Sequence, residues 1–362
     1  MKKILFLLPL FALPLLHGQK ADRKIIFPDI PGYVSLKCDL HMHTVLSDGS
    51  VWPDIRVQEA LRDGLDAISI TDHLEYQPHK EDIPHPDRNR GYQLAVKSAG
   101  KSGLMVINGT EITRAMPPGH ANALFVKDVN TMKADDYMHS FREAKEQGAF
   151  IFWNHPHWTA QQADGVATLS DLHREMLAEG LLHGIEIYNE DTYSDEALNI
   201  ALEQGLTILG NSDIHGLIDY QFDVVGGGHR PITLVFASEK TPEAMKEALF
   251  SGRTAVWFDN TLVGNALYLA PLVEQSLELS SGNKGLVRKV WIKNSSDATY
   301  LLENLGPFTL HNQAKVFTVG AHQSTLIQVK CGELEEELKM RFKVLNAFSS
   351  PDEQVEIEVK VN

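Results

Sequence analysis

The sequence predicts an α/β domain followed by a smaller all-β domain, and two patterns support this division. Between about residues 20 and 258, short apolar runs alternate with amphipathic stretches, as in repeated strand–helix units. After residue 264, apolar and polar residues alternate, which is typical of antiparallel strands with one face in water. We therefore expect a parallel α/β sheet, open or closed into a barrel, and then a small β-sandwich.

The α/β part divides into short strand candidates and longer helix candidates. The strand candidates are residues 33–40, 67–71, 104–109, 121–126, 149–153, 184–188, 207–210 and 233–237. The helix candidates are residues 53–63, 93–98, 135–146, 169–178, 195–203 and 241–250. Glycines such as Gly64 and Gly148 follow several helices, because glycine readily takes the left-handed conformation that ends a helix.

The β part begins after the last strand–helix unit. Residues 338–344 and 355–360 place apolar side chains at every second position, with charged residues between them. This part has no cluster of metal-ligand residues, so we expect the chemistry to lie upstream. We place the first domain at residues 19–262 and an Ig-like β-sandwich at residues 263–362.

The first 18 residues have the composition of an export signal. Lys2 and Lys3 precede an apolar run at residues 4–16, and Gly18 is a small residue suited to cleavage. The run has about 13 residues, whereas a membrane-spanning helix needs roughly 20. No cysteine stands directly after the run, which argues against a lipoprotein anchor. We predict a cleaved signal peptide at residues 1–18, a periplasmic or secreted protein, and no stable membrane anchor.

The overall composition excludes some classes of partner. With 43% apolar and 22% charged residues, the 362-residue chain is ordinary for a globular protein of two domains. The net charge of −15 and the lack of a basic stripe argue against a nucleic acid polymer or an anionic lipid surface. Cys38 lies in an apolar run and is expected to be a buried thiol, with a disulfide to Cys331 as the alternative. The oligomeric state stays open.

The most informative segment follows the first strand candidate. His41 and His43 alternate along the chain, so both imidazoles lie on the same side of it. Asp48 follows in a turn that contains Gly49. Two neutral nitrogens and a carboxylate on one face form a set of metal ligands.

Similar residues lie at four further strand ends. They are His73, Glu111 with His120 at the start of the next strand, His155, and Asp213 with His215. A single histidine at a strand end is usually a structural hydrogen-bonding residue. The carboxyl ends of strands in a parallel barrel share one face, so we expect these five regions to converge on one site.

These motifs resemble the polymerase-and-histidinol-phosphatase (PHP) family. The matching motifs are Asp39-x-His41-x-His43, Ser47-Asp48-Gly49, Thr71-Asp72-His73, Glu111, Asn154-His155-Pro156 and Ser212-Asp213-x-His215. The resemblance covers about residues 33 to 258 and implies a distorted seven-stranded (β/α) barrel with a di- or trinuclear metal centre. The combination of signal peptide, PHP barrel and C-terminal β-domain resembles exported bacterial phosphodiesterases of this family.

The resemblance implies metal-binding roles for nine side chains. Grouped by metal, with Glu111 bridging, they are His41, His43, Glu111 and Asp213; Asp48, His73 and His215; and His120 with His155. Many members have histidine where this chain has Asp48. Nitrogen and oxygen donors without sulfur suit Zn²⁺, Mn²⁺ or Fe²⁺, so the expected cofactors are two or three such ions. Asp72 is expected either to orient a ligand histidine or to cap its strand end.

The expected reaction is hydrolysis of a small phosphate ester. Bound divalent cations would outweigh the three carboxylates, attract an anionic ester and lower the pKa of a bridging water. A metal-bridging hydroxide would attack, with His157, Asp213 and His215 as catalytic residues. Substrate contacts are expected from Arg114, His157, Tyr188 and Arg230, although either arginine could instead form a surface ion pair. Trp153 and Trp158 are expected to pack in the core, with stacking on a substrate ring as the alternative.

The leading hypothesis is therefore a secreted metal-dependent phosphoesterase, preferably a phosphodiesterase acting on a small phosphorylated substrate. One alternative is an amidohydrolase-type hydrolase of C–N or ester bonds, because similar metal barrels use the same hydroxide. A second alternative is a non-catalytic binding protein that uses the barrel as a scaffold.

Overall fold

The expected strand–helix units fold into a ring of strands with helices packed outside it. The structure, a computed structural model, describes residues 24–282, 285–331 and 338–362. The predicted signal peptide at residues 1–18 lies outside these described residues. None of the described helices combines the length and the apolar character needed to cross a membrane.

The elements of the α/β part follow the sequence pattern closely. In chain order, the strands are β1 (Val34–Asp39), β2 (Ala67–Ile70), β3 (Met105–Ile112), β4 (Ala121–Leu124), β5 (Phe150–Trp153), β6 (Gly184–Asn189), β7 (Thr192–Tyr193), β8 (Thr207–Asn211), β9 (Ile232–Ala237), β10 (Thr254–Phe258) and β11 (Thr261–Gly264). The helices are α1 (Pro53–Asp63), α2 (Arg90–Ala99), α3 (Tyr137–Glu146), α4 (Asp171–Ala178), α5 (Asp195–Gln204), α6 (Ile218–Gln221), α7 (Pro242–Phe250) and α8 (Ala266–Ser276).

The ring contains β1, β2, β3, β4, β5, β6 and β8. It closes beyond the ends of β8 and β1, where Asp213 N donates to His41 O at 2.9 Å and Met42 pairs with Ile214 in parallel. The fold class and the barrel predicted from the sequence are thereby confirmed. One strand departs from the parallel arrangement, because β4 is antiparallel to both β3 and β5. Its amino end therefore lies beside the carboxyl ends of its neighbours.

An antiparallel extension joins the ring to the C-terminal part. Strand β9 pairs with β1, and β10 lies between β9 and β11. The predicted strand at residues 233–237 thus exists but belongs to this extension. Two threonine hydroxyls connect the extension to β8: Thr254 Oγ1 donates to Ile208 O at 2.7 Å, and Thr233 Oγ1 donates to Gly210 O at 2.9 Å.

The C-terminal part is a sandwich of two sheets, as the alternation predicts. Its strands are β12 (Leu277–Ser281), β13 (Val287–Asn294), β14 (Tyr300–Asn304), β15 (Thr309–Leu310), β16 (Val316–Val319), β17 (Ser324–Lys330), β18 (Leu338–Ser350) and β19 (Glu353–Val361). One sheet contains β12, β13, β17 and β15, and the other contains β16, β14, β18 and β19. A short parallel pairing of β12 with β19 joins the two sheets at one edge. Strand β18 also pairs in parallel with β11. Cys38 and Cys331 are both buried and are not joined to each other, so the alternative of a disulfide between them is wrong.

Arg230 contributes to the stability of the barrel and does not contact a substrate. Its guanidinium is fully buried and lies 3.0 Å from Asp39 Oδ2 and 2.7 Å from Asp63 Oδ2. Asp39 also accepts a hydrogen bond of 2.6 Å from Ser212 Oγ, which ties β1 to the segment after β8. The prediction that Arg230 binds substrate is wrong, because both ends of its guanidinium are occupied away from solvent.

Replacing Arg230 by methionine should therefore destabilise the fold strongly. The substitution leaves two carboxylates buried without their cation, and we expect a loss of about 3–5 kcal/mol in the free energy of unfolding. Urea titration measures this loss. Arg142→Met is the matched control, because the ion pair of Arg142 with Glu179 is exposed and should contribute less than about 1 kcal/mol. Equal losses in the two variants would contradict the role of Arg230.

Candidate metal centre

The nine side chains predicted as metal ligands lie together at one end of the barrel. They come from the segments just after β1, β2, β5 and β8, from β3, and from the residue before β4. His120 reaches the site because β4 is reversed, which brings its amino end to the carboxyl ends of β3 and β5. All nine except His41 line a cavity of about 150 Å³, and His41 lies beside it against Asp213 and His43.

Glu111 lies at the centre of the cluster. Its carboxylate is buried, and its two oxygens lie within 3.6 Å of five imidazole nitrogens, those of His41, His43, His73, His120 and His155. The shortest distances are 2.9 Å from Oε2 to His73 Nδ1 and 3.0 Å from Oε1 to His120 Nδ1. Each oxygen thus faces a different set of histidines, which is the arrangement that a bridging carboxylate requires.

Three donor atoms next to Glu111 have the spacing expected around a single cation. Asp213 Oδ1 lies 3.0 Å from His41 Nε2 and 2.9 Å from His43 Nε2, and these two nitrogens are 3.1 Å apart. Asp213 Oδ1 is buried and has no hydrogen-bond partner. Ligand atoms bound at about 2.1 Å to one ion are themselves roughly 3.0–3.4 Å apart. The donor set therefore fits a divalent transition metal.

Asp48 holds a second group of donors together. Its Oδ2 lies 3.2 Å from His73 Nε2, and its Oδ1 lies 3.3 Å from His215 Nε2 and 3.6 Å from His43 Nδ1. Gly49 allows this loop to fold back, because a Cβ at that position would lie 2.7 Å from the backbone of His43.

The metal-ligand atoms form nearly the same groups in the structure as the family resemblance implies. Three sets of donor atoms each lie within 4.8 Å of one another: His43, Asp48, His73 and His215; His41, His43 and Glu111; and His73, Glu111 and His120. In the third set His73 takes the place expected for His155. The His155 Nε2 atom still lies 3.4 Å from Glu111 Oε1.

Backbone strain is concentrated at the same place. His155 has φ +29° and Asp213 has φ +47°, a left-handed conformation that residues other than glycine rarely adopt. Glu190, which also lines the cavity, has φ +51°. Such strain accumulates at functional sites, where the surrounding structure enforces it.

Glu186 is a functional residue that the sequence analysis missed. Its buried carboxylate accepts hydrogen bonds from His41 Nδ1 at 2.9 Å, from the backbone N–H of His155 at 2.9 Å and from Asn211 Nδ2 at 3.0 Å. The bond to Nδ1 fixes the tautomer of His41 so that Nε2 faces the site with a lone pair. A charged residue inside the apolar strand Gly184–Asn189 is the sequence signal that reveals it.

Arg56 is a second residue that the sequence analysis missed. It is buried, and its guanidinium donates to His43 O at 2.9 Å and to Ile214 O at 3.1 Å. It thereby joins the two ligand-bearing segments through their backbone. Its signal in the sequence is weak, because a single arginine on the inner face of an amphipathic helix resembles a surface residue.

Asp72 acts on the loop that contains Asp48. Its carboxylate accepts hydrogen bonds from Thr44 N at 2.7 Å and from Ser47 Oγ at 2.9 Å. Ser47 Oγ in turn lies 3.4 Å from His43 Nδ1. Asp72 therefore affects a ligand histidine only through Ser47 and orients none directly.

The residues predicted to bind substrate do not line the cavity. Tyr188 packs in the core against Tyr193 and Phe258, because a register shift between Glu186 and Tyr188 turns Asn189 towards the site instead. This prediction is wrong.

Arg114 and His157, the other two residues predicted to contact a substrate, also pair with groups outside the cavity lining. Arg114 lies 2.6 Å from Glu75 Oε1 in an ion pair. His157 Nε2 lies 2.9 Å from Thr192 Oγ1, outside the cavity lining, which does not support its predicted catalytic role. Trp158, Asn189 and Glu190 complete the lining beside the predicted ligands.

The buried carboxylates change the protonation of the histidines in the metal-free protein. Burial opposes a charge on His73, but the charges of Glu111 and Asp48 outweigh it and raise the pKa of His73 to about 10. Burial likewise opposes a charge on His215, but the hydrogen bond to Asp48 and the charge of Asp213 raise the pKa of His215 to about 8. A metal must displace these protons when it binds.

The metal-free protein should consequently lose stability in alkaline solution. Above pH of about 6.5 the unfolded chain releases its histidine protons, whereas folded His215 and His73 keep them up to about 8 and about 10. Because the folded state then binds more protons, the free energy of unfolding falls as the pH rises through this window. Urea titrations of chelator-treated protein at about pH 6, 8 and 10 test this expectation. The metal-loaded protein is the control, and a flat profile without metal would refute the argument.

Replacing Glu186 by glutamine should weaken metal binding without removing a donor atom. An amide cannot accept all the hydrogen bonds that the carboxylate accepts, so His41 loses its fixed orientation. We expect metal affinity to fall by roughly 10–100-fold. Competition with a fluorescent chelator measures the affinity, and Glu203→Gln on the exposed face of α5 is the control. Unchanged affinity in Glu186→Gln would show that Glu186 does not position His41.

Comparison with known proteins agrees with this geometry. The chain is 39% identical to a two-domain protein from Bacteroides vulgatus that contains a predicted PHP-like metal-dependent phosphoesterase, with a TM-score of 0.87. That match covers 93% of this chain and 98% of the Bacteroides chain. No curated protein matches the chain.

Two other solved structures show weaker similarity to the chain. An amidohydrolase from Chromobacterium violaceum has 15% identity and a TM-score of 0.35 over 49% of this chain and 87% of its own. PsfC from Pseudomonas syringae has 19% identity and a TM-score of 0.43 over 62% of this chain and 91% of its own.

Two family models match the two parts of the chain. The PHP domain model matches residues 39–226, and an Ig-like domain model matches residues 276–360. The first match spans the ring strands from the end of β1 to β8 and includes all nine predicted ligands. The chain therefore belongs to the PHP family and has an Ig-like domain C-terminal to its PHP domain.

Proposed function

We propose that the protein is a metal-dependent phosphodiesterase that hydrolyses a small phosphate diester. The observation that supports this most is the nine-residue donor cluster around Glu111, in which buried carboxylate and imidazole atoms lie at the spacing of metal ligands. The cluster is complete, which argues against a non-catalytic binding protein. No described residue of the cavity lining points to hydrolysis of a C–N bond in preference to a phosphate ester.

The proposed metals are two or three divalent ions held by the nine predicted ligands. When bound, they would supply Lewis acidity and a water of lowered pKa. Glu186 would keep His41 in the tautomer that binds, and Arg56 would hold His43 and Ile214 at a fixed separation.

The reaction proposed is direct attack of water on phosphorus. The residues that line the cavity are histidine, aspartate, glutamate, asparagine and tryptophan, so no serine, cysteine or lysine nucleophile is among them. A new P–O bond forms to the water oxygen, the P–O bond to the leaving group breaks, and the leaving oxygen takes a proton. We propose Asp213 and His215 as the catalytic residues, since both line the cavity.

The charge around the cavity supports a diester in preference to a monoester. Glu186 beneath the site and Glu190 in its wall add two carboxylates to the three among the predicted ligands. Arginine and lysine are absent from the described lining. With three divalent ions and a hydroxide bound, these five carboxylates would bring the net charge of the site to about zero. A diester carries one negative charge, whereas a monoester carries up to two near neutral pH and would need more cationic partners.

We further propose that the protein acts after export. This proposal is supported by the composition of residues 1–18, which lie outside the described part of the chain.

Hydrolysis of bis(p-nitrophenyl) phosphate tests the proposed activity. Protein stripped with a chelator and reloaded with Zn²⁺, Mn²⁺ or Fe²⁺ should hydrolyse it faster than p-nitrophenyl phosphate. His41→Ala should reduce kcat/KM by more than about 100-fold, because it removes a donor atom and not merely its orienting partner. His139→Ala on the exposed face of α3 is the control. Full activity of His41→Ala, or of metal-free protein, would exclude the proposal.

A further inference from the structure

Trp158 is an exposed aromatic side chain at the edge of the metal cavity. It lines the cavity, and 45% of its surface is accessible to solvent. Its ring lies 5.2 Å from the ring of His155 and 5.7 Å from that of His120, at 68° and 52° to them. One side of the indole therefore rests on two predicted ligands, while much of the remainder faces water. Trp153, by contrast, is fully buried and stacks on His173 at 4.0 Å.

The backbone around Trp158 is held in place. Trp158 N donates to His155 O at 2.9 Å, and Trp158 O accepts from Gln161 N at 3.0 Å and from Gln162 N at 2.8 Å. His155 is anchored in turn through its N–H to Glu186. A platform that is fixed before a ligand arrives loses little conformational freedom when the ligand binds.

The cavity is too small to enclose a whole substrate. Its volume of about 150 Å³ is below the roughly 300–1,000 Å³ of pockets that surround a small-molecule ligand. A cavity of about 150 Å³ has room for little more than a phosphoryl group with its nearest atoms. A larger substituent of the ester must therefore lie at the opening, next to Trp158.

The opening also limits the charge of that substituent. The only charged side chain in the described lining outside the nine predicted ligands is the carboxylate of Glu190. It repels a second anionic group, and no arginine or lysine of the described lining offsets it. The carboxylate therefore disfavours anionic substituents, and among substituents without negative charge a flat aromatic ring is one that stacks well on an indole.

We propose that Trp158 is a specificity-determining residue that stacks on a planar, uncharged aryl or heteroaromatic substituent of the substrate. This inference rests on the proposed function, because it concerns the part of the diester that lies outside the cavity. The competing explanation is that Trp158 only shields His120 and His155 from water. Shielding would affect all ligands alike, whereas stacking distinguishes planar ligands from others.

Calorimetric binding of two non-hydrolysable diester analogues separates these explanations. Methyl(phenyl)phosphinate and dimethylphosphinate are both monoanions without an ester bond, and only the first has a planar ring. In the metal-loaded full chain, Trp158→Ala should weaken binding of the phenyl analogue by roughly ten-fold and leave dimethylphosphinate within about two-fold. Trp158→Phe should restore most of the difference. Trp52→Ala is the matched control, since Trp52 is 48% exposed and lies outside the cavity lining.

Kinetics on bis(p-nitrophenyl) phosphate supply a second readout. Trp158→Ala should raise KM by roughly ten-fold and change kcat little, because stacking acts on binding. Equal weakening of both phosphinates, or wild-type protein that binds them equally, would overturn the inference. If wild-type protein hydrolyses no diester but still prefers the phenyl analogue through Trp158, the proposed function fails and the stacking role stands.

Discussion

The structure of the site depends on the burial of one carboxylate among five imidazoles. Glu111 extends from β3 into the centre of the ring and faces histidines contributed by the segments around four other strands. At such distances carboxylate groups repel each other and also repel the lone pairs of unprotonated imidazoles, unless cations or protons lie between them. The barrel must therefore hold these groups in place. The buried side chains of Glu186, Arg56 and Arg230 contribute to this.

Those three residues show how the site is supported from beneath. Arg56 joins the segments after β1 and β8 through carbonyl groups, and Arg230 joins β1 to the end of α1 through two carboxylates. Buried arginines of this kind are costly to desolvate, and their value lies in the geometry that they fix. Glu186, which orients His41, also adds a negative charge beneath the site, so in the proposed function the support of the donors and the preference for a substrate of low charge are coupled.

The sequence allowed the fold and the nine clustered residues to be predicted because both leave local signals. Strand–helix periodicity extends over ten or more residues, and His41, His43 and Asp213 lie directly after apolar runs. The direction of β4 leaves no such signal, and neither does the register shift after Glu186 that buries Tyr188 and exposes Asn189 to the cavity. Arg230 was misjudged because a loop position does not reveal that Asp39 and Asp63 lie within 3.0 Å. Whether the nine residues bind metal stays a prediction.

Strand β18 pairs with strands of both parts of the molecule. Its central and final residues pair with β14 and with β11, so one strand belongs to the sandwich and also completes the sheet that extends from the barrel. Without its partner, β11 would present unsatisfied backbone groups to any other extended chain, a known route to aggregation. The C-terminal domain thus covers that edge, so its removal would leave β11 open to pairing with another chain.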